Sequence, residues 1–200
     1  MTPAQAIDRG FALVNWLAQE LNALPFLSSP RSQLAAACLS IAQDHHAGVI
    51  VLLERDLHAP AMALVRPQYE AYVRGVWLAN CASDGEIRRF GEKGDAPPIA
   101  AQLASLELVE AFSDGQLSRI KAESWSAMCS FTHTGILQVE RLLTETGIEQ
   151  NFPPEELVQA ANFTGAIALM SGIGMAALAE NGLLGTTLLE KARQYAQHET

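Results

Sequence analysis

The stretch that decides the fold is MALVRPQYEAYVRGVWLANC, Met62 to Cys81. Drawn as a helix, it carries apolar and aromatic residues around most of its circumference. A helix that is apolar on every side lies at the centre of a fold. Yet this one keeps three charges at four-residue intervals, Arg66, Glu70 and Arg74. The stretch therefore predicts a central helix with one charged stripe.

Helix signals continue on both sides of this stretch. Thr2–Pro3 places a capping residue before a proline at a helix start, and Ser83–Glu86 has the spacing of a capping box. Apolar residues recur at helical spacing between short loops, including a segment at Thr132–Gly147, and no segment predicts a strand. Short loops between helices favour antiparallel neighbours. The sequence predicts an all-α, single-domain antiparallel helical bundle of about seven to nine helices over residues 1–200.

Composition limits the function classes. Two hundred residues suit one domain, and a formal net charge of −9 repels a phosphate backbone, so we expect no broad nucleic-acid surface. The three cysteines are far apart and lack C-x-x-C spacing, which predicts reduced thiols and a cytoplasmic protein.

One uncharged stretch, Leu157 to Ala179, is long enough to cross a bilayer. Polar residues interrupt it, and alanine and glycine dominate, so we expect a buried helix and no membrane association. Its glycines, Gly165, Gly172 and Gly174, allow close approach of another helix. That helix belongs either to the same core or to a second copy across a two-fold axis, and we expect a homodimer.

The charged stripe has two interpretations. Arg66–Glu70 and Glu70–Arg74 both have i, i+4 spacing, and two guanidiniums around one carboxylate leave a net positive charge. The three residues either form an ion network that fixes helix register or line a pocket that attracts an anion. Arginine suits an anion because its planar fork binds carboxylate or phosphate at two points. Pro67 should kink the helix beside Arg66 and open space there.

A second polar segment is CSFTHTG, Cys129–Gly135, where one helix ends and the next begins. His133 at this junction has the chemistry of a general acid or base, or it caps a helix. Ser130 is a candidate ligand-binding hydroxyl, although no G-x-S-x-G elbow surrounds it.

The sequence predicts no metal and no cofactor. His45 and His46 are adjacent on a helix, so their side chains diverge and cannot easily share one ion. No H-E-x-x-H or paired Cys/His spacing occurs.

The pattern Arg-x-x-x-Glu on an apolar helix, followed by Ser-x-x-His, resembles a set of uncharacterised bacterial all-helical proteins, which are domains of unknown function distantly similar to HEPN domains. HEPN proteins are helical bundles, often dimeric, and many are ribonucleases of toxin–antitoxin or phage-defence systems. The resemblance implies Arg66, Glu70 and His133 as the counterpart positions. The catalytic HEPN signature, an Arg followed four to six residues later by His, is absent here.

Three hypotheses follow. In the first, Arg66, Glu70 and Arg74 meet His133 and Ser130 in a small polar pocket for an anionic ligand, in a regulatory or defence-related protein. In the second, the chain is a HEPN-like ribonuclease or nucleotide-processing enzyme, with His133 as acid or base and Glu70 orienting it or acting as base. In the third, the chain is a structural or interaction module in which the charges only fix helix register. Whether the protein is an enzyme stays open.

Overall fold

A computed structural model describes residues 1–22, 24–25 and 28–197 of the chain. Within these ranges, the elements in chain order are α1 (Pro3–Glu20), α2 (Pro30–Glu54), α3 (His58–Asn80), α4 (Asp84–Lys93), α5 (Ile99–Leu106), a single 3₁₀ turn (Glu110–Phe112), α6 (Gln116–Thr132), α7 (Ile136–Glu140), α8 (Pro154–Leu178) and α9 (Gly182–Gln197). Extended pairing in the described part of the chain is limited to one bridge between Leu143 and Ile148. The prediction of an all-α, single-domain bundle of about seven to nine helices is confirmed.

The helix starts follow the capping signals. The Thr2 hydroxyl accepts a hydrogen bond from the Gln5 amide (3.3 Å), and the Gln5 side chain accepts one from the Thr2 amide (2.8 Å). Ser83 and Glu86 repeat this exchange at the start of α4. Gly94 ends α4 with a φ of 67°, a backbone conformation that costs glycine little.

The charged helix lies at the centre, as its composition predicts. α3 packs between α2 and α8, and Tyr69, Val73 and Leu78 on it are fully buried. α1 and α9 pack on α8, while α5 and α6 pack on α3. The helix runs through Pro67 without interruption from His58 to Asn80.

Three helices meet at a buried polar contact. His46 Nδ1 of α2 lies 3.1 Å from the Thr164 hydroxyl of α8. Gln68 of α3 donates to the carbonyls of Ala42 (3.1 Å) and Thr164 (2.8 Å). Polar groups of all three central helices are therefore joined inside the core.

Two helices, α2 and α8, are long and apolar enough to cross a membrane by length and composition. Both pack in the centre of this fold, and the core helix of a soluble protein passes the same test. The glycines of α8 face neighbours within the chain. A β-carbon on Gly172 would lie 3.2 Å from Leu188 of α9, and one on Gly174 would lie 3.0 Å from Leu39 of α2. Of the two roles that the sequence leaves open for these glycines, the structure uses them for internal packing.

The predicted helical segment at Thr132–Gly147 is wrong in extent. α7 covers only Ile136–Glu140, and the chain then turns, with Thr144 and Gly147 exchanging hydrogen bonds. A threonine hydroxyl that bonds nearby backbone groups competes with the helical hydrogen bonds, so the apolar spacing alone does not continue the helix.

Candidate functional site

The site is built on Arg66, one turn before Glu70 on α3. Arg66 Nε donates to Glu70 Oε1 at 2.8 Å, and the side chains of the two residues are 20% and 24% exposed. The ring of Trp125 on α6 stacks on the guanidinium at 4.6 Å. The predicted i, i+4 ion pair is thus formed and partly buried between two helices.

His133 lies at the C-terminal end of α6 and reaches the same guanidinium. Arg66 Nη1 lies 2.6 Å from His133 Nε2. Because a guanidinium can only donate, Nε2 carries the lone pair and Nδ1 carries the proton. The structure therefore brings Arg66, Glu70 and His133 together, although 67 residues separate Arg66 from His133.

Pro67 explains how the end of α6 is attached to α3. A proline lacks the N–H that would bond the carbonyl four residues earlier, so the carbonyl of Ala63 lacks its helical partner. The Thr132 hydroxyl lies 3.3 Å from that carbonyl, and it also bonds Met128 O at 2.8 Å. The residue after Thr132 is His133, so this contact helps to fix the imidazole beside Arg66.

The chain leaves His133 through a strained turn. Thr134 has a φ of 54°, which is unusual for a β-branched residue. Ser130 holds the far side of the turn, because its hydroxyl accepts from the Leu137 amide at 3.0 Å and its carbonyl accepts from the Gly135 amide at 2.7 Å. Ser130, a predicted ligand-binding residue, is thus engaged in the turn behind His133 and makes no hydrogen bond to Arg66.

Arg74, the other predicted ligand-binding arginine, lies outside the cluster. Its guanidinium stacks near the Phe90 ring of α4 at 5.9 Å, and no ion pair within 4 Å joins it to Glu70. The expected Glu70–Arg74 pair is wrong, since the next helical turn directs Arg74 towards α4 and α2. Burial raises the pKa of the Cys38 thiol on α2, and the Arg74 charge offsets part of that rise.

A second cation that the sequence analysis missed is Lys121. Its ammonium lies 4.9 Å from the centre of the Trp125 ring, on the same ring that stacks on Arg66. Lys121 and Trp125 are four residues apart and share a face of α6. That spacing is the signal available in the sequence, but it does not reveal that this face meets Arg66.

The adjacent histidines have different surroundings. Burial lowers the pKa of His46 to about 4, so His46 is a neutral core residue at neutral pH. His45 is half-buried, and burial also lowers its pKa, partly offset by Asp44. Among the described residues, no group of three His, Cys, Asp or Glu side chains could hold a metal ion.

The sequence analysis also missed a groove of about 770 Å³ between α6 and α8. Its walls are mainly apolar, with Ile120, Ala127 and Phe131 on α6 facing Phe163 and Met170 on α8. The residues that line it do not include Arg66 or His133. The polar cluster and the groove are therefore separate features.

Comparison with known proteins places the site within a family. A family of unknown function, DUF6988, matches residues 39–198, which contain the whole polar cluster and the groove. No curated protein and no solved structure matches the chain. The expectation of an uncharacterised family is confirmed, while the distant similarity to HEPN domains and a bacterial origin stay predictions.

Proposed function

We propose that this chain, which belongs to the family of unknown function DUF6988, binds a small anionic ligand at Arg66. The proposal rests on the hydrogen bonding of the Arg66 guanidinium. Arg66 is bonded through Nε to Glu70 and through Nη1 to His133, yet its Nη2 has no hydrogen-bond partner among the described residues. A partly buried, oriented guanidinium with donors to spare suits a carboxylate or phosphate oxygen.

Local charge supports the same ligand class. Arg66 and Lys121 lie 4.6 Å and 4.9 Å from the centre of the Trp125 ring, and Glu70 is the carboxylate bonded to this cluster. Two positive charges and one negative charge leave a net charge of +1 on a chain whose formal charge is −9. A small anion gains from this local field, whereas an extended polyanion meets repulsion from the rest of the surface.

The same contacts favour binding over catalysis. An acid–base pair needs an imidazole that is free at one nitrogen and oriented by a second group at the other. His133 Nδ1 has no hydrogen-bond partner among the described residues, but the group that orients the ring at Nε2 is the cationic guanidinium of Arg66, and no ion pair within 4 Å joins the Glu70 carboxylate to His133. One observation supports the HEPN-like ribonuclease hypothesis: His133 is exposed and lies beside Arg66.

Cytoplasmic location, a homodimeric state and the absence of membrane association belong to the same proposal. The free cysteines Cys38, Cys81 and Cys129 suit a reducing compartment. The apolar helices α2 and α8 use much of their surface in the core, which suits a protein off the membrane.

The proposal is tested by thermal unfolding with inorganic phosphate, adenosine monophosphate and succinate. A ligand that binds only the folded chain raises the melting temperature as its concentration exceeds the dissociation constant. We expect at least one of these anions to raise the melting temperature of the wild type in a saturable way. Arg66→Gln should abolish this rise.

Arg55→Gln is the matched control, because it removes the same charge from a side chain that is 74% exposed and paired with Glu54. The control should keep the full rise. An equal rise in Arg66→Gln, or none with any of the three anions, contradicts the proposal. Hydrolysis of single-stranded RNA that His133→Gln abolishes would favour the ribonuclease instead.

A further inference from the structure

The groove between α6 and α8 arises because α6 packs with only one face. One face of α6 lies against α3, where the Leu117 carbonyl accepts from Tyr69 and Trp125 stacks on Arg66. On an adjacent face of α6, Ile120, Ala127 and Phe131 follow helical spacing and face α8 across open space. An apolar stripe of this kind is normally covered, so the groove has the character of a binding site.

We propose that this groove is a second ligand site that takes an uncharged, largely apolar small molecule. Its volume of about 770 Å³ falls within the range of roughly 300–1,000 Å³ that small-molecule sites occupy. Three methionines with flexible, polarisable side chains line the groove: Met62 on α3, Met128 on α6 and Met170 on α8. These side chains can adapt to an apolar body of irregular shape.

The charges of the groove lining indicate that the ligand is neutral. Among the described residues that line the groove, the charged ones are Arg141 and Glu156. These two neutralise each other through a two-point ion pair, with Arg141 Nε donating to Glu156 at 2.9 Å and Nη2 bonding the other carboxylate oxygen. The lining offers no unpaired charge to an ionised group, whose desolvation would then be uncompensated.

One buried amide supplies a point of recognition. Asn162 lines the groove and is 9% exposed. Its Oδ1 accepts a long hydrogen bond from Arg9 at 3.4 Å, while its Nδ2 has no hydrogen-bond partner in the described part of the chain. The ligand should therefore carry a neutral acceptor, such as a hydroxyl or carbonyl oxygen, at one position on an apolar frame.

The test uses the neutral dye Nile red, followed by fluorescence titration, with 1-decanol and decanoate as competitors. We expect saturable binding of one dye per chain and displacement by decanol at lower concentration than by decanoate. Ala127→Phe places an aromatic ring in the groove and should weaken dye binding by about ten-fold or more, because the ring occupies space that the dye needs. Ala122→Phe is the matched control, because Ala122 is exposed on the same helix and does not line the groove.

Further variants keep the result interpretable. Ala166→Phe fills the groove from α8 and should weaken the dye as Ala127→Phe does, and melting curves verify that each variant folds. Arg66→Gln should bind the dye normally, so failure of the anion proposal leaves this one intact. Equal dye binding by wild type and Ala127→Phe overturns the inference, as does tighter competition by decanoate. A dimer that Ala127→Phe converts to monomer, measured by sedimentation velocity, would make the groove an interface between copies and also overturns it.

Discussion

At the scale of single residues, neighbouring helices determine which of two arginines, Arg66 or Arg74, forms an ion pair with Glu70. Both arginines lie four residues from Glu70, so the i, i+4 rule permits either pair. Arg66 meets Trp125 and His133 of α6, which hold its guanidinium beside the carboxylate. Arg74 faces the Phe90 ring and leaves Glu70 without a second partner within 4 Å.

Glu70→Gln separates the binding role of the cluster from a purely structural one. Removing the carboxylate weakens a partly buried ion pair, so we expect unfolding in urea to become easier by about 1 kcal/mol. It also raises the local charge, so phosphate binding by calorimetry should tighten by roughly five-fold, or about 1 kcal/mol. Glu54→Gln, which removes an exposed carboxylate paired with Arg55, is the matched control and should change neither quantity appreciably. Weaker phosphate binding by Glu70→Gln would contradict the proposed site.

At the scale of elements, α6 connects most of what is functional in this fold. One face of it supplies Trp125 and Lys121 to the polar cluster, and a neighbouring face forms a wall of the groove. It is attached to α3 through two side-chain hydrogen bonds to backbone carbonyls. Tyr69 donates to Leu117 O at 2.7 Å near the start of α6, and Thr132 donates to Ala63 O at its end.

Tyr69→Phe tests the first of these attachments. The change removes the hydroxyl that donates to the Leu117 carbonyl, so we expect a loss of about 1 kcal/mol in the free energy of unfolding. Hydrogen exchange of the α6 amides should accelerate more than that of α8. Tyr72→Phe removes the same atom from a buried tyrosine that has no hydrogen-bond partner among the described residues, so it should cost less. Equal losses in the two variants would show that the bond to Leu117 does not hold α6.

At the scale of the whole molecule, the centre of the fold contains a polar contact among α2, α3 and α8 that makes stability depend on pH. His46 is 1% exposed, and burial lowers its pKa from 6.5 to about 4. As pH falls, the unfolded chain binds a proton at this residue before the folded chain does. The stabilisation is therefore complete above pH 6.5 and is lost progressively as the pH falls towards 4.

The size of this effect follows from the difference in pKa, which corresponds to about 3 kcal/mol at 1.36 kcal/mol per unit. The free energy of unfolding, measured in urea, should fall much less between pH 7 and pH 4 in His46→Gln than in the wild type. The same change at the exposed His133 should leave most of that loss in place. An NMR titration in which the His46 imidazole protonates near pH 6.5 in the folded chain would contradict the assignment.

The sequence by itself determined where most of the helices lie and that α3 is the central one. Capping residues act within one turn, and apolar spacing acts along one helix, so Thr2, Ser83 and the apolar circumference of α3 could be interpreted without neighbours. The same local information supplied Arg66, Glu70 and His133 as candidates. It failed at α7, where the hydroxyl of Thr144 competes with the helix.

Only the tertiary structure decided how those helices meet. The rotation of α6 about its own axis brings Trp125, which Lys121 also contacts, to Arg66 and leaves Ile120 and Phe131 facing α8. This rotation depends on contacts between residues far apart in the chain, such as Thr132 with Ala63 and Tyr69 with Leu117. Periodicity within one segment shows which residues share a face, but the partner of that face is set by the packing of the whole core. For that reason the polar cluster was partly predictable from the sequence, and the groove beside it was not.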